Sequence, residues 1–293
     1  MRQIAIFNNK GGAGKSTFTV FLADFFSSLH FKASKRAVRV LVIDADAQGS
    51  AGISLVGRER VAEAIRQHRT LADLLQSEQP SLDDFLLRRP EVETETRRVK
   101  LAAVDVIPTD LASTEALEGL DGPLVLQAIA KRLPKLLKDR YDLVLVDLPA
   151  NVKRRDHLPM ALLAASQFVV VPTEPSDIAV AALPRTFEII RDASARASQL
   201  RGLRGPKPLG IVLNKTNRTY KSYKLHIGEI RQVAADAGTS VLENVLPVAS
   251  QLMTATDSTL AFATLREKFD SYYDHVRKVT GELQRRIQEA EKG

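Results

Sequence analysis

The sequence predicts an α/β protein with a doubly wound, mostly parallel sheet that is flanked by helices. Two observations support this fold class. Short apolar runs rich in Val, Ile and Leu recur along the chain, and helix-length patterns separate them. Strands that are buried on both faces have such uninterrupted apolar sequences, as in a parallel sheet covered by helices. The predicted strands span residues 3–8, 38–43, 104–108, 143–146, 168–171, 209–213 and 241–246.

Length and composition narrow the classes of protein to consider. The chain has 293 residues, 44% hydrophobic and 26% charged, so we expect one globular domain over residues 1–293. The lack of cysteine excludes disulfides, thiolate-held zinc, iron–sulfur clusters and cysteine nucleophiles, and it fits a reducing cytoplasm. The apolar stretches are far shorter than the roughly 20 residues of a membrane span. The first apolar run is too short for a signal peptide.

The last part of the chain predicts a long amphipathic helix with one face on the core. Its apolar residues fall three or four apart, which is the spacing of one helix face. They are Phe262, Leu265, Phe269, Tyr272 or Tyr273, Val276, Val279, Leu283 and Ile287. A membrane-surface helix is the alternative, but residues 284–293 are almost wholly polar and of mixed charge. The many charged residues between 58 and 100 predict that this segment extends over the protein surface.

A glycine-rich loop joins the first predicted strand to a helix, which is the context of a phosphate-binding loop. Its sequence is NKGGAGKST at residues 9–17. Glycines let backbone N–H groups turn inward, and the helix N-terminus adds to their attraction for phosphate oxygens. A glycine turn without a ligand would not need Gly-Lys-Ser in this register. The residues expected to bind the phosphates are Gly11, Gly12, Ala13, Gly14, Lys15 and Thr17. Lys15 is expected to reach the β- and γ-phosphates, and Thr17 is expected to contact the α-phosphate. Ser16 is expected to bind Mg²⁺.

The loop departs from the usual G-x-x-x-x-G-K-[ST] pattern at its first position. Asn9 stands where the first glycine is expected, and a second lysine, Lys10, follows it. Lys10 adds positive charge beside the phosphates. It is expected at the open lip of the loop, from which it can reach a nucleotide bound by another subunit.

Two acidic segments follow predicted strands and complete a phosphate and metal site. The second strand leads into DADAQG at residues 44–49, where Asp44 and Asp46 point the same way because they are two residues apart on an extended segment. One of them can orient a water for attack while the other supports Mg²⁺. The strand YDLVLVD ends in Asp147, the Walker B arrangement that holds Mg²⁺ directly or through water. A lone acid at a strand end is usually structural, but the phosphate loop favours a functional role.

The strand end at residues 213–217, LNKTN, predicts recognition of the base. Guanine would require a carboxylate at the last position, and Asn217 stands there instead. Adenine is therefore favoured, with Asn214 as the expected contact. A polar strand cap is the alternative.

Together these motifs resemble those of the ParA/MinD family of deviant Walker A P-loop ATPases, over nearly the whole chain. The matching segments are KGGAGKS (10–16), DADAQG (44–49), DLP (147–149), VPTEP (171–175) and LNK (213–215). The resemblance implies a slow ATPase that uses ATP and Mg²⁺ and forms a sandwich homodimer in the ATP state. It implies that Lys10 crosses to the partner's phosphates, and that Asp46 is the catalytic carboxylate that positions water. Residues 44–48 would be switch I, and residues 147–151 would begin switch II.

Within this family the sequence is most similar to ParA/Soj-type partition proteins that lack an N-terminal DNA-binding domain. An iron–sulfur branch needs cysteines, the MinD branch ends in a membrane helix, and the tyrosine-kinase branch ends in a tyrosine cluster. The resemblance implies a cytoplasmic, nucleoid-associated ATPase that binds DNA without sequence preference and does not bind membranes. It would drive plasmid or chromosome partition or cargo positioning, and a ParB-type partner would stimulate its hydrolysis.

The charge distribution independently favours a polyanionic partner. Residues 185–231 contain eleven Lys or Arg residues and three acidic ones, a net charge of +8. The candidate DNA-binding residues are Arg201, Arg204, Lys207, Arg218, Lys221, Lys224 and Arg231, with Lys153, Arg154 and Arg155 as secondary candidates. A solvated basic face without a partner is the alternative. A dimer would double the patch, so ATP-driven dimerisation would switch DNA affinity through avidity.

Two departures from the family pattern limit the resemblance. Ala150 replaces the second proline of the usual D-x-P-P at switch II. Many ParA proteins have arginines just after a late Ile-Pro, whereas VASQ at residues 248–251 follows Leu246-Pro247 here. DNA binding would then use other basic residues, between 218 and 231. The alternative functions are a metabolic P-loop enzyme of the amidoligase or small-kinase type, for which no second-substrate motif is present, and a MinD-like membrane-cycling regulator.

Overall fold

The computed structural model describes residues 1–31, 34–90, 92–93, 98–99, 101–153, 156–200, 202–248, 254–260 and 262–292. The strands are β1 (Arg2–Ile6), β2 (Val40–Asp44), β3 (Leu87–Arg88), β4 (Val92–Glu93), β5 (Arg98–Val99), β6 (Val104–Ile107), β7 (Leu143–Asp147), β8 (Phe168–Thr173) and β9 (Lys207–Leu213). The α-helices are α1 (Lys15–Ser27), α2 (Ser50–Val56), α3 (Arg58–Arg66), α4 (Leu71–Gln76), α5 (Leu111–Glu118), α6 (Gly122–Gln127), α7 (Leu133–Leu137), α8 (His157–Ala165), α9 (Asp177–Ala197), α10 (Lys221–Asp236), α11 (Leu265–Phe269) and α12 (Tyr273–Lys292). Three other helical segments are the 3₁₀ turns Leu82–Phe85 and Asp270–Tyr272 and the π-helical segment Ala128–Arg132.

The main sheet has seven strands in the order β3-β6-β2-β7-β1-β8-β9. All neighbours pair in parallel except the short edge strand β3, which is antiparallel to β6. β4 and β5 form a separate antiparallel pair. Six of the seven predicted strands are therefore confirmed, as is the doubly wound α/β fold class.

Both faces of the sheet are covered, as the apolar strands predict. Along β1, Ile4 and Ile6 pack into one core and Ala5 and the following Phe7 pack into the other. The first core contains α1 and the end of the chain, and the second contains α8 and α9. A continuous apolar strand is favoured here because neither of its faces meets water.

The prediction of a seventh strand at residues 241–246 is wrong. Leu242 and Leu246 donate backbone hydrogen bonds to Ile211 and Leu213 of β9, at 2.9 and 2.8 Å. Between them, the backbone N–H groups of Glu243 and Asn244 donate to the buried Glu282 carboxylate of α12, at 2.9 and 3.0 Å. These two N–H groups bond to a side chain instead of a strand, so the ladder is interrupted.

The predicted terminal helix forms in two pieces. α11 and α12 are separated at Asp270, which has a φ of 45°. The predicted apolar face is confirmed, because Phe269, Tyr272, Val276 and the later members of the series are buried. Phe269 packs edge-on against Phe21 of α1, with 5.1 Å between ring centroids.

The charge-rich segment 58–100 is not a surface excursion over its first thirty residues. Val61, Leu71, Leu74 and Leu87 are all buried, while Arg58 and Arg60 are exposed. The charged residues therefore form the outer faces of elements that contribute to the core. Among the helices of the described residues, none has the length and apolarity needed to cross a membrane.

Candidate nucleotide-binding site

The predicted functional segments meet at one edge of the sheet. β1, β2 and β7 are neighbours and end at Ile6, Asp44 and Asp147, which are matched in register. The loops that follow them carry the phosphate-loop sequence and both acidic segments. The carboxyl ends of parallel strands are the usual place for ligands in open α/β sheets.

The glycine-rich loop leads directly into α1 and leaves the helix N-terminus open. Gly12 and Gly14 have φ values of 74° and 82°, and no side chain caps the helix at Gly14. A Cβ at Gly14 would lie 2.1 Å from Nδ2 of Asn214, so only glycine fits at this position. The free N–H groups and the helix dipole make this end attractive to an anion.

Lys15, the first residue of α1, lies over the loop and is 6% exposed. Its Nζ donates to the backbone oxygen of Lys10 at 3.3 Å. Burial lowers the pKa of Lys15, and the nearby Asp147 and Asp46 act in the opposite direction. Its ammonium group thus lies between the loop and the carboxylates, where phosphate oxygens would find it.

Asp44 and Asp147 form a fully buried pair of carboxylates at matched positions on β2 and β7. Asp44 accepts from the backbone N–H of Gly52 at 2.7 Å. One oxygen of Asp147, Oδ1, accepts from Thr19 Oγ1 at 3.1 Å, whereas Oδ2 is buried without a hydrogen-bond partner. An unpaired buried carboxylate oxygen is costly, so a cation at this position would be stabilised.

The pKa values of both carboxyl groups reflect this burial. Desolvation, and then the charge of Asp147, raises the pKa of Asp44 well above its ordinary value. Desolvation raises the pKa of Asp147 to about 6, although the neighbouring hydroxyls of Ser16 and Thr19 and the charge of Lys15 oppose this. The two groups therefore repel each other when ionised, and a positive ion would relieve the repulsion.

The donor set fits Mg²⁺ bound together with a nucleotide. Ser16, Asp44 and Asp147 offer hydroxyl and carboxylate oxygens, which are the ligands that Mg²⁺ prefers. Within the described part of the chain, no group of three or more His, Asp or Glu residues is placed to hold a metal. Because Mg²⁺ usually takes only one or two carboxylates and completes its shell with phosphates and water, this number is sufficient.

Asp46 lies at the rim of the same site, half-buried at the start of the turn after β2. Its Oδ1 accepts from the backbone N–H of Gln48 at 3.0 Å, and its carbonyl accepts from Gly49 at 2.8 Å. Its charge influences the pKa values of Lys15, Asp44 and Asp147. It is thus close to the predicted phosphate position and only partly enclosed by protein.

The segment predicted to begin switch II contacts the glycine-rich loop. Asn151 has a φ of 57°, and its N–H donates to the carbonyl of Asn9 at 3.0 Å. One backbone hydrogen bond therefore joins this segment to the glycine-rich loop.

Lys10 forms an ion pair with a residue of its own chain. Its Nζ lies 2.7 Å from Oε1 of Glu174, in the loop after β8. Sequence reasoning included Glu174 in a matching segment but gave it no role, because the two residues are 164 positions apart. Thr19 was missed as well, although it lies one helical turn after Lys15 and thus on the same face.

Asn214 and Lys215 both contact the glycine-rich loop. Asn214 Nδ2 donates to the Ala13 carbonyl at 3.3 Å, and Lys215 Nζ donates to the Gly12 carbonyl at 2.7 Å. Asn214 is 4% exposed, so it supports the loop from beneath. Its expected contact with adenine stays a prediction.

The candidate DNA-binding residues divide between two edges of the sheet. Lys207 begins β9, and it lines a cavity of about 850 Å³ with Arg204, Lys135 and Lys138. The other exposed candidates follow the opposite end of β9, which is roughly 20 Å away for a seven-residue strand. These are Arg218, Lys221 and Lys224. Arg231 is also exposed but lies further along α10, which runs back toward the start of β9. Arg201, Arg154 and Arg155 lie outside the described residues, and Lys153 is exposed.

Comparison with known proteins identifies similar chains. Residues 1–201 match the AAA_31 family, described as an AAA domain. The chromosome partitioning protein ParA of Caulobacter vibrioides is 28% identical over 258 residues, which are 84% of this chain and 80% of that protein. A Cyanothece McdA variant in complex with ATP has a TM-score of 0.71 at 19% identity, with 98% of this chain and 96% of that one covered. pNOB8 ParA bound to nonspecific DNA has a TM-score of 0.69 at 20% identity, with 98% and 99% covered.

Proposed function

Since the chain belongs to the AAA_31 family and has the fold of the ParA and MinD P-loop ATPases, we propose that it is a ParA-type partition or positioning ATPase. In this proposal it dimerises on ATP, binds DNA without sequence preference and hydrolyses ATP slowly. A ParB-type partner stimulates the hydrolysis. The protein is cytoplasmic and associates with the nucleoid, and its cargo is a plasmid, a chromosome or another body.

The observation that carries the ATPase proposal is the buried Asp44–Asp147 pair beside the open loop. Oδ2 of Asp147 has no hydrogen-bond partner, and a cation that arrives with a nucleotide would compensate its charge. Ser16, Asp44 and Asp147 would hold Mg²⁺, which when bound neutralises developing charge on the phosphates. The backbone N–H groups of residues 11–16 and the Lys15 ammonium bind the phosphate oxygens.

Asp46 is proposed to orient the attacking water. It is half-buried and near the metal-binding carboxylates, so its carboxylate can accept a proton from a water on the γ-phosphate side. Asp44 and Asp46 are two residues apart on the same segment, but their proposed roles differ. Asp44 binds the metal, and Asp46 orients the water. The slow rate suits a protein that must keep its ATP state while it is positioned.

DNA binding is proposed for the exposed basic residues on and around β9 and α10. The likeness to a ParA structure with nonspecific DNA supports this proposal. Phosphate contacts from lysine and arginine carry no base preference, which suits binding along any sequence. Dimerisation brings a second set of these residues and raises affinity by avidity.

The dimerisation and hydrolysis steps are tested on wild type, Lys15→Ala and Asp46→Ala by light scattering and phosphate release. We expect wild type to be monomeric without nucleotide and dimeric with ATP and Mg²⁺. Asp46→Ala keeps the dimer but hydrolyses about 10²-fold more slowly, because it lacks the group that accepts the water proton. Lys15→Ala loses ATP binding. Glu63→Gln, an exposed residue paired with Arg66, is the control and behaves as wild type.

A wild-type chain that turns over ATP only with a small-molecule acceptor would contradict this proposal and favour the metabolic alternative. ATP-dependent sedimentation with anionic liposomes would favour the membrane-cycling alternative.

A further inference from the structure

We propose that Glu174 restrains Lys10 within its own subunit in the nucleotide-free state, and that this ion pair must break before Lys10 reaches the partner's phosphates. Glu174 is thus a positioning residue that sets how readily the ATP dimer forms. The inference rests on the proposed function, because it concerns the lysine that is expected to cross between subunits.

The contact is short and partly shielded from water. Lys10 Nζ lies 2.7 Å from Glu174 Oε1, and the two side chains are 18% and 25% exposed. The same oxygen accepts from Ser176 Oγ at 3.4 Å. At the other end, the backbone N–H of Lys10 donates to Asn8 Oδ1 at 2.9 Å. Both residues are therefore held by neighbours in positions that favour the pair.

A second lysine reaches the other oxygen of Glu174. Lys215 Nζ lies 3.8 Å from Glu174 Oε2 and donates to the Gly12 carbonyl at 2.7 Å. Burial raises the pKa of Glu174, but the hydrogen bond and charge of Lys10 and the charge of Lys215 together hold it below its ordinary value. Glu174 is therefore ionised at neutral pH and lies between two cations at the lip of the loop.

This arrangement makes Glu174 a competitor of phosphate for Lys10. One ammonium group cannot extend to the partner's phosphates and remain 2.7 Å from Glu174. Phosphate oxygens arriving on the loop also place negative charge close to Glu174, which weakens its hold on Lys10. Lys215 remains beside the Glu174 carboxylate when Lys10 leaves, so the half-buried carboxylate keeps a counter-charge.

The first test measures the contact itself, without nucleotide. Acetylation of Lys10 by an N-hydroxysuccinimide ester is followed by mass spectrometry in wild type, Glu174→Gln and Glu188→Gln. Glu188 is an exposed carboxylate on α9 that pairs with Arg185, so it serves as the matched control. We expect Lys10 to react about threefold faster in Glu174→Gln, which is the size of effect expected of one ion pair. Equal rates in all three proteins would overturn the inference.

The second test measures dimerisation with ATP and Mg²⁺ as a function of protein concentration. We expect Glu174→Gln to dimerise at a several-fold lower concentration than wild type when both proteins are saturated with ATP. In a Lys10→Ala background the Glu174→Gln substitution should have no effect on dimerisation. Weaker dimerisation of Glu174→Gln, or an equal effect in the Lys10→Ala background, would show that Glu174 acts on the fold rather than on Lys10.

The two tests separate the failure of this inference from that of the proposed function. A wild-type chain that stays monomeric with ATP contradicts the proposed function and the dimerisation half of the inference. Unchanged Lys10 labelling overturns the restraint even if wild type dimerises normally.

Discussion

At the scale of single residues, the buried oxygen Oδ2 of Asp147 has consequences for stability as well as for metal binding. The pKa of Asp147 is raised to about 6 by burial, above the ordinary value of about 3.9. Between these pH values the folded state binds more protons than the unfolded state. The contribution of Asp147 to the free energy of unfolding of the nucleotide-free protein therefore falls as pH rises from about 4 to about 6.

Asp147→Asn should stabilise the nucleotide-free protein and abolish Mg²⁺-dependent ATP binding. At pH 7 the substitution removes a buried charge, so we expect a gain of roughly 1–3 kcal/mol in the free energy of unfolding. Urea unfolding in the presence of a chelator, at pH 5 and pH 7, measures this gain. A variant less stable than wild type at pH 7 would show that the carboxylate is already compensated in the fold.

Sequence reasoning located most residues of the candidate site because their signals are local. The glycine loop, the two aspartates after β2 and the final aspartate of β7 are each defined by a strand and the few residues after it. The roles of Glu174 and of Asn214 beneath the loop depend on partners 164 and 201 positions away. No local pattern encodes those contacts, so only the fold reveals them.

At the scale of elements, a buried charge cluster connects α1 to two distant segments. Asp24 on α1 is fully buried and lies 2.6 Å from Arg89, just after β3, and 2.7 Å from Lys268 on α11. Burial raises the pKa of Asp24, but the charges of Arg89 and Lys268 outweigh it and leave the pKa below the ordinary value. This cluster contributes stability above about pH 4 that is lost as the pH falls and Asp24 is protonated.

Asp24→Asn should destabilise the protein by about 3–5 kcal/mol at pH 7, because it leaves two cations buried without a counter-charge. Urea unfolding at pH 7 measures the loss. The control is Asp274→Asn, which removes an exposed carboxylate paired with Arg277 on α12 and should cost at most about 0.5 kcal/mol. Equal stability of the two variants would contradict a structural role for the cluster.

The elements that sequence reasoning placed correctly are those defined by their own residues. Six strands are predominantly apolar runs, and the end of the chain has a clear helical period. The segment 241–246 also has strand-like residues. Its central backbone N–H groups, those of Glu243 and Asn244, instead donate to the carboxylate of Glu282, which is 39 and 38 positions away in the chain. β3 has only two residues and is too short for any periodicity.

At the scale of the whole molecule, the two edges of the sheet are expected to differ in DNA binding. If Lys10 crosses between subunits, the dimer joins at the carboxyl edge, which is the edge where Lys221 and Lys224 begin α10. Arg204 and Lys207 lie at the opposite edge, away from Lys10. ATP-dependent avidity therefore favours the residues near α10.

The double variant Lys221→Ala/Lys224→Ala should lower ATP-dependent DNA affinity by about tenfold or more. The slope of log affinity against log salt should fall by about four counterions per dimer, one for each lysine removed from the two subunits. Arg204→Ala/Lys207→Ala removes the same charge at the other edge and is the matched comparison, with a smaller expected loss. Fluorescence anisotropy on DNA of arbitrary sequence measures both, and a larger loss at the Arg204 edge would contradict the assignment.

ATP is proposed to switch DNA binding on, and a comparison of DNA affinity in defined nucleotide states tests this. DNA affinity is measured with ATP, with ADP and without nucleotide, at about 50 and about 200 mM salt. The proteins compared are wild type and Asp46→Ala. We expect sequence-independent binding that requires ATP, weakens steeply with salt and lasts longer in Asp46→Ala because the ATP state persists. Equal DNA affinity in all three nucleotide states, or no binding in any of them, would contradict it.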